Sequence, residues 1–250
     1  MPYFLSQTVQ PDFPGLWGEG SAYQPSVIYD IASDDPTKPP VHYCAHLLKP
    51  HSIAHLDFSA HINRGGKTCE QYFEGRGECF WGRVVVLRLR GGRWKSVAGS
   101  AGSGSGELSL WRIEPDELVQ ALVEAGFGET PPDKLFITPD AVASTNFHSH
   151  DPNFVFVLSE AAASWLISNP NFNAFGTSWK SADFEPGSRA RPVHKVLLRQ
   201  AVLYEFLDLS TVPEGEYFLS GVPLRLSGAS ESPVTPVLFG LAELQRTLGF

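Results

Sequence analysis

Short apolar blocks bounded by Gly, Pro and Asn punctuate this chain, and long helical stripes are few. VHYCAHLL (41–48), RVVVLRLR (83–90), LFIT (135–138), FVFVL (154–158), NAFGTS (173–178), AVLYEFLDL (201–209) and YFLSGVPLRLSG (217–228) read as strands. In 83–90 apolar residues alternate with Arg88 and Arg90, which predicts one wet face near the strand's end. Two segments carry a helical period. EPDELVQALVEAG (114–126) has Pro115 in its first turn, acids near its start, Gly126 to end it, and Leu118, Leu122 and Ala125 on one face. SEAAASWLISN (159–169) has Ser159 as its cap and Pro170 beyond its end. The first forty residues, rich in Pro, Gly and aromatics, read as irregular rim segments. A Gly/Ser-rich stretch at about 96–106 reads as a flexible surface loop within the domain. The expectation is an α/β fold: one strand-rich domain over 1–250 with two to three helices.

Composition narrows the class. A chain of 250 residues with 42% apolar and 18% charged positions can bury a sizeable core and does not belong with disordered chains. The net charge is −8 and no basic run stands out, so nucleic acid is not an expected partner. The start lacks a secretory pattern, and no apolar run approaches the ~18 residues of a membrane span. Three cysteines, Cys44, Cys69 and Cys79, make neither a disulfide framework nor a CxxC ligand set. A cytoplasmic setting without membrane contact is the expectation.

The chemistry concentrates in HSIAHLDFSAH, residues 51–61, where His51, His55, Asp57 and His61 all occupy odd positions. On a helix His51 and His55 lie one turn apart, but Asp57 points roughly 200° away. On a straight strand all four share a face, yet His51 is about 13 Å from His55, too far for one ion with ligands at ~2.0–2.2 Å. The cluster works only if the chain turns at Ser52, Ile53 and Ala54 and then runs extended through His55 and Asp57. Imidazoles and a carboxylate without thiolate suit Zn²⁺, or Mn²⁺, in an open site. Such an ion makes hydroxide available near neutral pH, and a histidine outside the ligand set can shuttle the proton.

The segment resembles the HxGTHxDxPxH signature of the cyclase-like metal-dependent hydrolases, the family of bacterial kynurenine formamidases and isatin hydrolases. DFPG (12–15), FGTSWKSAD (175–183), RPVHKVLL (191–198), YEFLDLS (204–210) and GEYFLSGVPLRLSGASESPVTPV (215–237) extend the resemblance through most of the chain. It implies a swivelling β/β/α fold, a homo-oligomer (dimer or tetramer) and a small-molecule substrate. It implies one or two divalent ions on His51, His55, Asp57, His194 and Glu205, with Asp57 bridging and His61 as the proton-transfer residue. It implies a hydrolase of N-acyl (formyl) aryl amides, cyclic amides or lactones, working through metal-bound hydroxide. A scaffold that has lost catalysis and a ring-closing or dehydrating enzyme are the alternatives. Departures from the motif are Ile53 for glycine, Ser59 for proline, an eleven-residue interval from His194 to Glu205, and Ser178 where many relatives carry Asp. Glu205 lies in an apolar strand, where an unpaired carboxylate is costly, which favours the ligand role. His194 follows Pro192 in a segment expected to be extended. Phe13, Trp17, Tyr72, Phe73 and Trp81 are candidates to line an apolar slot for a planar substrate. Ser181 and Asp183 are candidates to orient the ligands from behind. HSHD (148–151) reads as an exposed loop.

Overall fold

The structure is a computed structural model that describes residues 1–32, 35–99, 106–184 and 189–249. Its elements are β1 (Tyr3–Phe4), β2 (Tyr23–Tyr29), β3 (Tyr43–Leu48), β4 (His55–Asp57), α1 (Cys69–Gly75), β5 (Trp81–Leu89), β6 (Lys95–Ala98), β7 (Glu107–Ile113), α2 (Pro115–Glu124), β8 (Lys134–Pro139), β9 (Phe154–Leu158), α3 (Glu160–Leu166), β10 (Ala174–Thr177), α4 (Pro192–Leu197), β11 (Val202–Glu205), β12 (Gly215–Ser220), β13 (Glu231–Pro233), β14 (Val237–Gly240) and α5 (Leu241–Leu248). Nine strands form one sheet in the order β1-β14-β12-β5-β8-β10-β11-β4-β13. β5, β8, β10 and β11 are parallel, and both ends of the sheet are antiparallel. A three-stranded sheet, β6-β7-β9, and the hairpin β2-β3 complete the strands.

Both faces of the central sheet are buried, which is why its parallel strands read as continuous apolar runs. Val85, Leu87 and Leu89 of β5 join Leu118 and Leu122 of α2, Leu166 of α3 and Leu197 of α4 in one core. Val84 and Val86 join Leu56, Phe58, Tyr72 and Tyr204 in the other. The site therefore sits on a sheet clamped from both sides. Gly176 on β10 lets the Phe136 ring lie against the backbone; an added Cβ there comes within 2.4 Å of that ring.

The α/β, strand-rich expectation holds, with several corrections. Five helices occur among the described residues rather than two to three. α2 and α3 lie where the periodicity puts them; α3 is capped by the Ser159 hydroxyl, which accepts from the Ala162 N–H at 3.0 Å. The segment around His194 is helical, α4, not extended: Pro192 takes a first-turn position, where its missing N–H costs nothing. Residues 221–228 leave the sheet after β12. A side chain at Gly221 would meet the Tyr204 hydroxyl at 2.7 Å and its ring at 2.8 Å, so the chain passes as bare backbone there. The wet face near the end of β5 holds for Arg90, which is exposed, while Arg88 is half-buried and its guanidinium donates to the Leu209 and Val212 carbonyls, both at 3.0 Å. Tyr23–Tyr29, expected to be irregular, pairs with β3 as an antiparallel hairpin. In the Gly/Ser stretch, residues 96–98 belong to β6, while 100–105 lie outside the described residues. In HSHD Ser149 is exposed while His148, His150 and Asp151 are half-buried, and the first two residues sit on a short 3-10 turn.

Candidate metal centre

The required turn exists. Pro50–Ser52 form one turn of 3-10 helix that delivers His51, and Ile53 resumes extended backbone at φ −136°, ψ 175°. No positive φ is needed, so Ile53 stands in the glycine position without strain. The Ser52 hydroxyl accepts from the Leu16 N–H at 2.8 Å, and the Trp17 indole donates to the His51 carbonyl at 2.9 Å. These bonds tie the N-terminal segment to the turn. β4 then places His55 and Asp57 on one face and Leu56 in the core behind. A second 3-10 turn, Ser59–His61, brings His61 back over the strand.

Sheet register supplies the other donors. β4 lies between β11 and β13, with His55 opposite Glu205 and Asp57 opposite Glu231. Direct cross-strand partners share a face, and His55 Nε2 lies 3.6 Å from Glu205 Oε2. β11 ends there, with Phe206 at φ +59°. His194 arrives from α4, its Nε2 3.3 Å from Glu205 Oε1 and 3.5 Å from Asp57 Oδ2. A short link joins the end of α4 to β11 within the eleven residues from His194 to Glu205, and β11 pairs with β10 in regular register. Asp57 Oδ1 is 3.8 Å from His51 Nδ1 and 3.6 Å from His55 Nε2, and Oδ2 is 3.8 Å from His61 Nε2. Two overlapping donor groups share Asp57: His51 with His61, and His55 with Glu205.

Several donors are oriented from behind. His55 Nδ1 donates to the Ile53 carbonyl at 2.8 Å, so its Nε2 lone pair faces the centre. Asp183 Oδ2 accepts from His194 Nδ1 at 2.7 Å and from the His194 N–H at 2.8 Å, while Oδ1 accepts from the Val193 N–H at 3.0 Å. One carboxylate thus caps α4 and sets the His194 tautomer. The Ser181 hydroxyl accepts from Arg191 at 3.0 Å, and the Ala182 N–H donates to Glu205 Oε1.

The buried histidines and carboxylates of the site compensate one another. Burial opposes ionisation of Asp57, but His55, His194, His61 and His51 together hold its carboxyl well below the usual range. Burial also opposes the His194 cation, yet Glu205, Asp183 and Asp57 raise its pKa well above the ordinary value. Burial and His55 lower that of His51. For His61, burial is outweighed by Glu231 and Asp57, and the pKa rises. Glu231, beside His61, falls to about 2. Both Asp57 oxygens are buried and neither has a hydrogen-bond partner. An ionised carboxylate is not left this way without compensation. The donor set therefore fits a divalent ion with nitrogen and oxygen ligands.

An open cleft of about 170 Å³ leads to the centre. His51, Asp57, His61, Ser181, His194 and Glu205 line it together with Trp17, Glu19 and Arg191. Of the five aromatics expected to form a slot, the structure brings only Trp17 to this cleft. Tyr72 is buried on α1 with its ring 5.2 Å from Phe58, and Phe73 packs 4.8 Å from Phe80. Trp81 is 56% exposed on β5, and Phe13 lies toward Phe206. Glu19 and Arg191 also line the cleft, and Glu231 lies beside His61. Arg191 has a left-handed backbone, φ +50°, and its guanidinium lies 5.3 Å from the centre of the Trp17 ring. No spacing in the sequence signals these three.

Fold and donor set together define a strand-rich α/β protein with a candidate divalent-metal centre. No family model matches the chain. It is 31% identical over 127 residues to the kynurenine formamidase of Polaromonas naphthalenivorans, a match covering 50% of this chain and 51% of that protein. The matched part thus spans about half of that relative. The kynurenine formamidase of Maricaulis maris is 24% identical over 234 residues, 94% of this chain and 95% of that protein. The fold is shared with isatin hydrolase A from Ralstonia solanacearum: TM-score 0.68, 20% identity, 95% of this chain and 91% of that one. It is also shared with a structure described as a novel cyclase, at TM-score 0.71 and 16% identity, covering 96% of this chain and 88% of that one. These likenesses support the resemblance to the cyclase-like hydrolases that the histidine motif carries.

Proposed function

We propose that this protein is a metal-dependent hydrolase of small aryl amides: an N-acyl (formyl) aryl amide, a cyclic amide or a related lactone. One observation carries the reading. Asp57 is a buried carboxyl group without a hydrogen-bond partner, ringed by His51, His55, His61, His194 and Glu205. The names of the relatives, kynurenine formamidase and isatin hydrolase, support the substrate class.

In this reading His51, His55 and Asp57 hold one ion, and His194 and Glu205 complete a place for a second. Zn²⁺ is the first expectation for this nitrogen and oxygen set, and Mn²⁺ the second. A bound divalent ion supplies Lewis acidity and lowers the pKa of a coordinated water. The side chains do the rest. Trp17 at the mouth of the cleft offers a flat face for an aryl ring. His61 Nε2 faces the donor cluster, takes the proton from the attacking water and returns it to the leaving nitrogen or oxygen. Asp183 holds His194 so that its Nε2 stays turned toward Asp57 and Glu205.

The test pairs elemental analysis of tag-free protein with a panel of N-formyl anilines, isatins and aryl lactones. At least one equivalent of metal per chain and turnover lost in Asp57→Asn is the expected result. Metal-free protein that still hydrolyses these substrates would refute the reading. Bound metal with no turnover across the panel would favour the scaffold alternative. Several relatives bear the word cyclase in their names, so products are weighed by mass spectrometry: hydrolysis adds water and ring closure does not.

A homo-oligomer belongs to the proposal. The β2-β3 hairpin exposes Val27, Ile28, Tyr43 and Leu47, and an isolated two-stranded hairpin is marginal in water. Light scattering on eluting protein reads the assembly. No helix among the described residues is long and apolar enough to cross a membrane. The three cysteines are all free, which supports a reducing, cytoplasmic setting within the same proposal.

A further inference from the structure

His61 turns its two ring nitrogens toward two different carboxylates. Nε2 lies 3.8 Å from Asp57 Oδ2, in the donor cluster, and Nδ1 lies 3.8 Å from Glu231 Oε2, outside it. Glu231 reaches that place through backbone register. On β13 it is the direct partner of Asp57 across the β4 ladder, and the Phe58 N–H bonds the Ser230 carbonyl at 2.9 Å beside it. Direct partners in an antiparallel pair share a face. Both carboxylates therefore rise beside the His61 ring, one on each side. The Ser230 hydroxyl donates to the same Glu231 oxygen and holds the side chain.

An ionised carboxylate only accepts hydrogen bonds. Beside Nδ1 it favours the hydrogen on Nδ1; Asp57 faces Nε2 at the same distance, but it belongs to the donor set, and once its lone pairs serve an ion the Nε2 lone pair is left facing the cleft. The 3.8 Å separation is an ion-pair distance, longer than a hydrogen bond, as side chains that tighten on substrate binding show in the free state. Glu231 belongs to neither donor group around Asp57. Its place behind His61 matches the carboxylate that orients an imidazole base in other hydrolases.

We propose that Glu231 is a positioning residue that holds His61 as its Nδ1–H tautomer with Nε2 aimed at the reaction centre. The use made of that nitrogen rests on the hydrolase reading, and the tautomer rests on Asp57 serving as a metal ligand; the ring's placement between the two carboxylates rests on neither. In the cycle, a water O–H bond breaks and its proton bonds Nε2. The resulting imidazolium keeps its Nδ1–H toward Glu231, and the Nε2 proton passes to the leaving atom. Glu231 gains and loses no proton.

The decisive readout is the tautomer. ¹⁵N-histidine-labelled protein is compared by long-range ¹⁵N–¹H NMR, metal-free and loaded with Zn²⁺, with His61 assigned from its missing signal in His61→Gln. Zn²⁺-loaded wild type is expected to show Nδ1–H at His61, and loaded Glu231→Leu a shifted population with Nε2–H. Glu231→Gln keeps a carbonyl acceptor and is expected to restore the wild-type tautomer. Zn²⁺ content stays at the wild-type level in both variants, while kcat falls about 10–100-fold in the leucine variant with KM within about twofold. His61 carrying its hydrogen on Nε2 in the loaded wild type, or an unchanged tautomer in loaded Glu231→Leu, overturns the proposal. So does loss of metal in Glu231→Leu, which makes Glu231 a ligand instead. Absence of turnover in the wild type counts against the hydrolase reading alone, because the NMR signals report the ring's tautomer whether or not substrate is turned over.

Discussion

Asp183→Asn separates two roles that one carboxylate combines. In the wild type, Oδ1 accepts from the Val193 N–H and Oδ2 accepts from both the His194 N–H and its Nδ1. The amide replaces one of these oxygens with an NH₂ group, which can only donate. Placed at Oδ2, the NH₂ would oppose two donors and turn the His194 proton onto Nε2, into the centre. Placed at Oδ1, it opposes the Val193 N–H alone, so this arrangement wins. The cost is one helix-cap bond and a buried N–H left without a partner, about 1–3 kcal/mol of folding stability. His194 also loses an anionic partner for a neutral one, and its Nε2 becomes a weaker donor to an ion. Loss of such a partner lowers metal affinity by about 10–100-fold. A chelator competition with Zn²⁺ measures affinity, and urea melts of metal-free protein measure stability. A stability loss with affinity within about threefold of wild type would mean that Asp183 is a helix cap only, and the orienting role would be withdrawn.

Further outcomes follow from the same geometry. His61→Ala is expected to retain metal yet lose about 10²–10⁴-fold in kcat, whereas Asp57→Asn loses both metal and activity; full activity in His61→Ala removes that residue from the chemistry. Gly176→Ala forces a methyl to within 2.4 Å of the Phe136 ring and is expected to cost about 1–3 kcal/mol, read as a lowered urea midpoint. Burial, followed by the nearby Lys180 charge, lowers the His150 pKa to about 4 from 6.5. The unfolded chain therefore binds this proton first, and stability falls as pH drops from about 6.5 toward 4, by at most ~3 kcal/mol. His150→Gln should flatten that part of the pH profile; an unchanged slope assigns the loss to other groups.

Much of the centre was legible before folding. Four metal-capable side chains at odd positions demanded a turn after His51 and an extended run through Asp57, because no single helix or strand brings all the donors to one ion. The structure contains that turn as Pro50–Ser52 and that strand as β4. The strands β5, β8 and β9 and the helices α2 and α3 were equally legible, since period and caps are local properties. α4 was misread because a proline that forbids a helix interior also suits a helix start, and only the Asp183 cap distinguishes the two.

Residues that meet across the sheet were beyond local reading. Glu205 and Glu231 flank β4 because β11 and β13 pair with it in one register, and a shift by one residue would turn both carboxylates to the opposite face. The aromatic slot failed for the same reason. Tyr72, Phe73 and Trp81 are close to the histidines along the chain, yet α1 and the start of β5 carry them into the second core or onto the surface. Sequence by itself determined the kinds of donor atoms and the local turn that gathers the first three. Tertiary structure decided which carboxylates face them, because pairing between distant strands is settled by the packing of both sheet faces, and no short stretch of the chain contains that information.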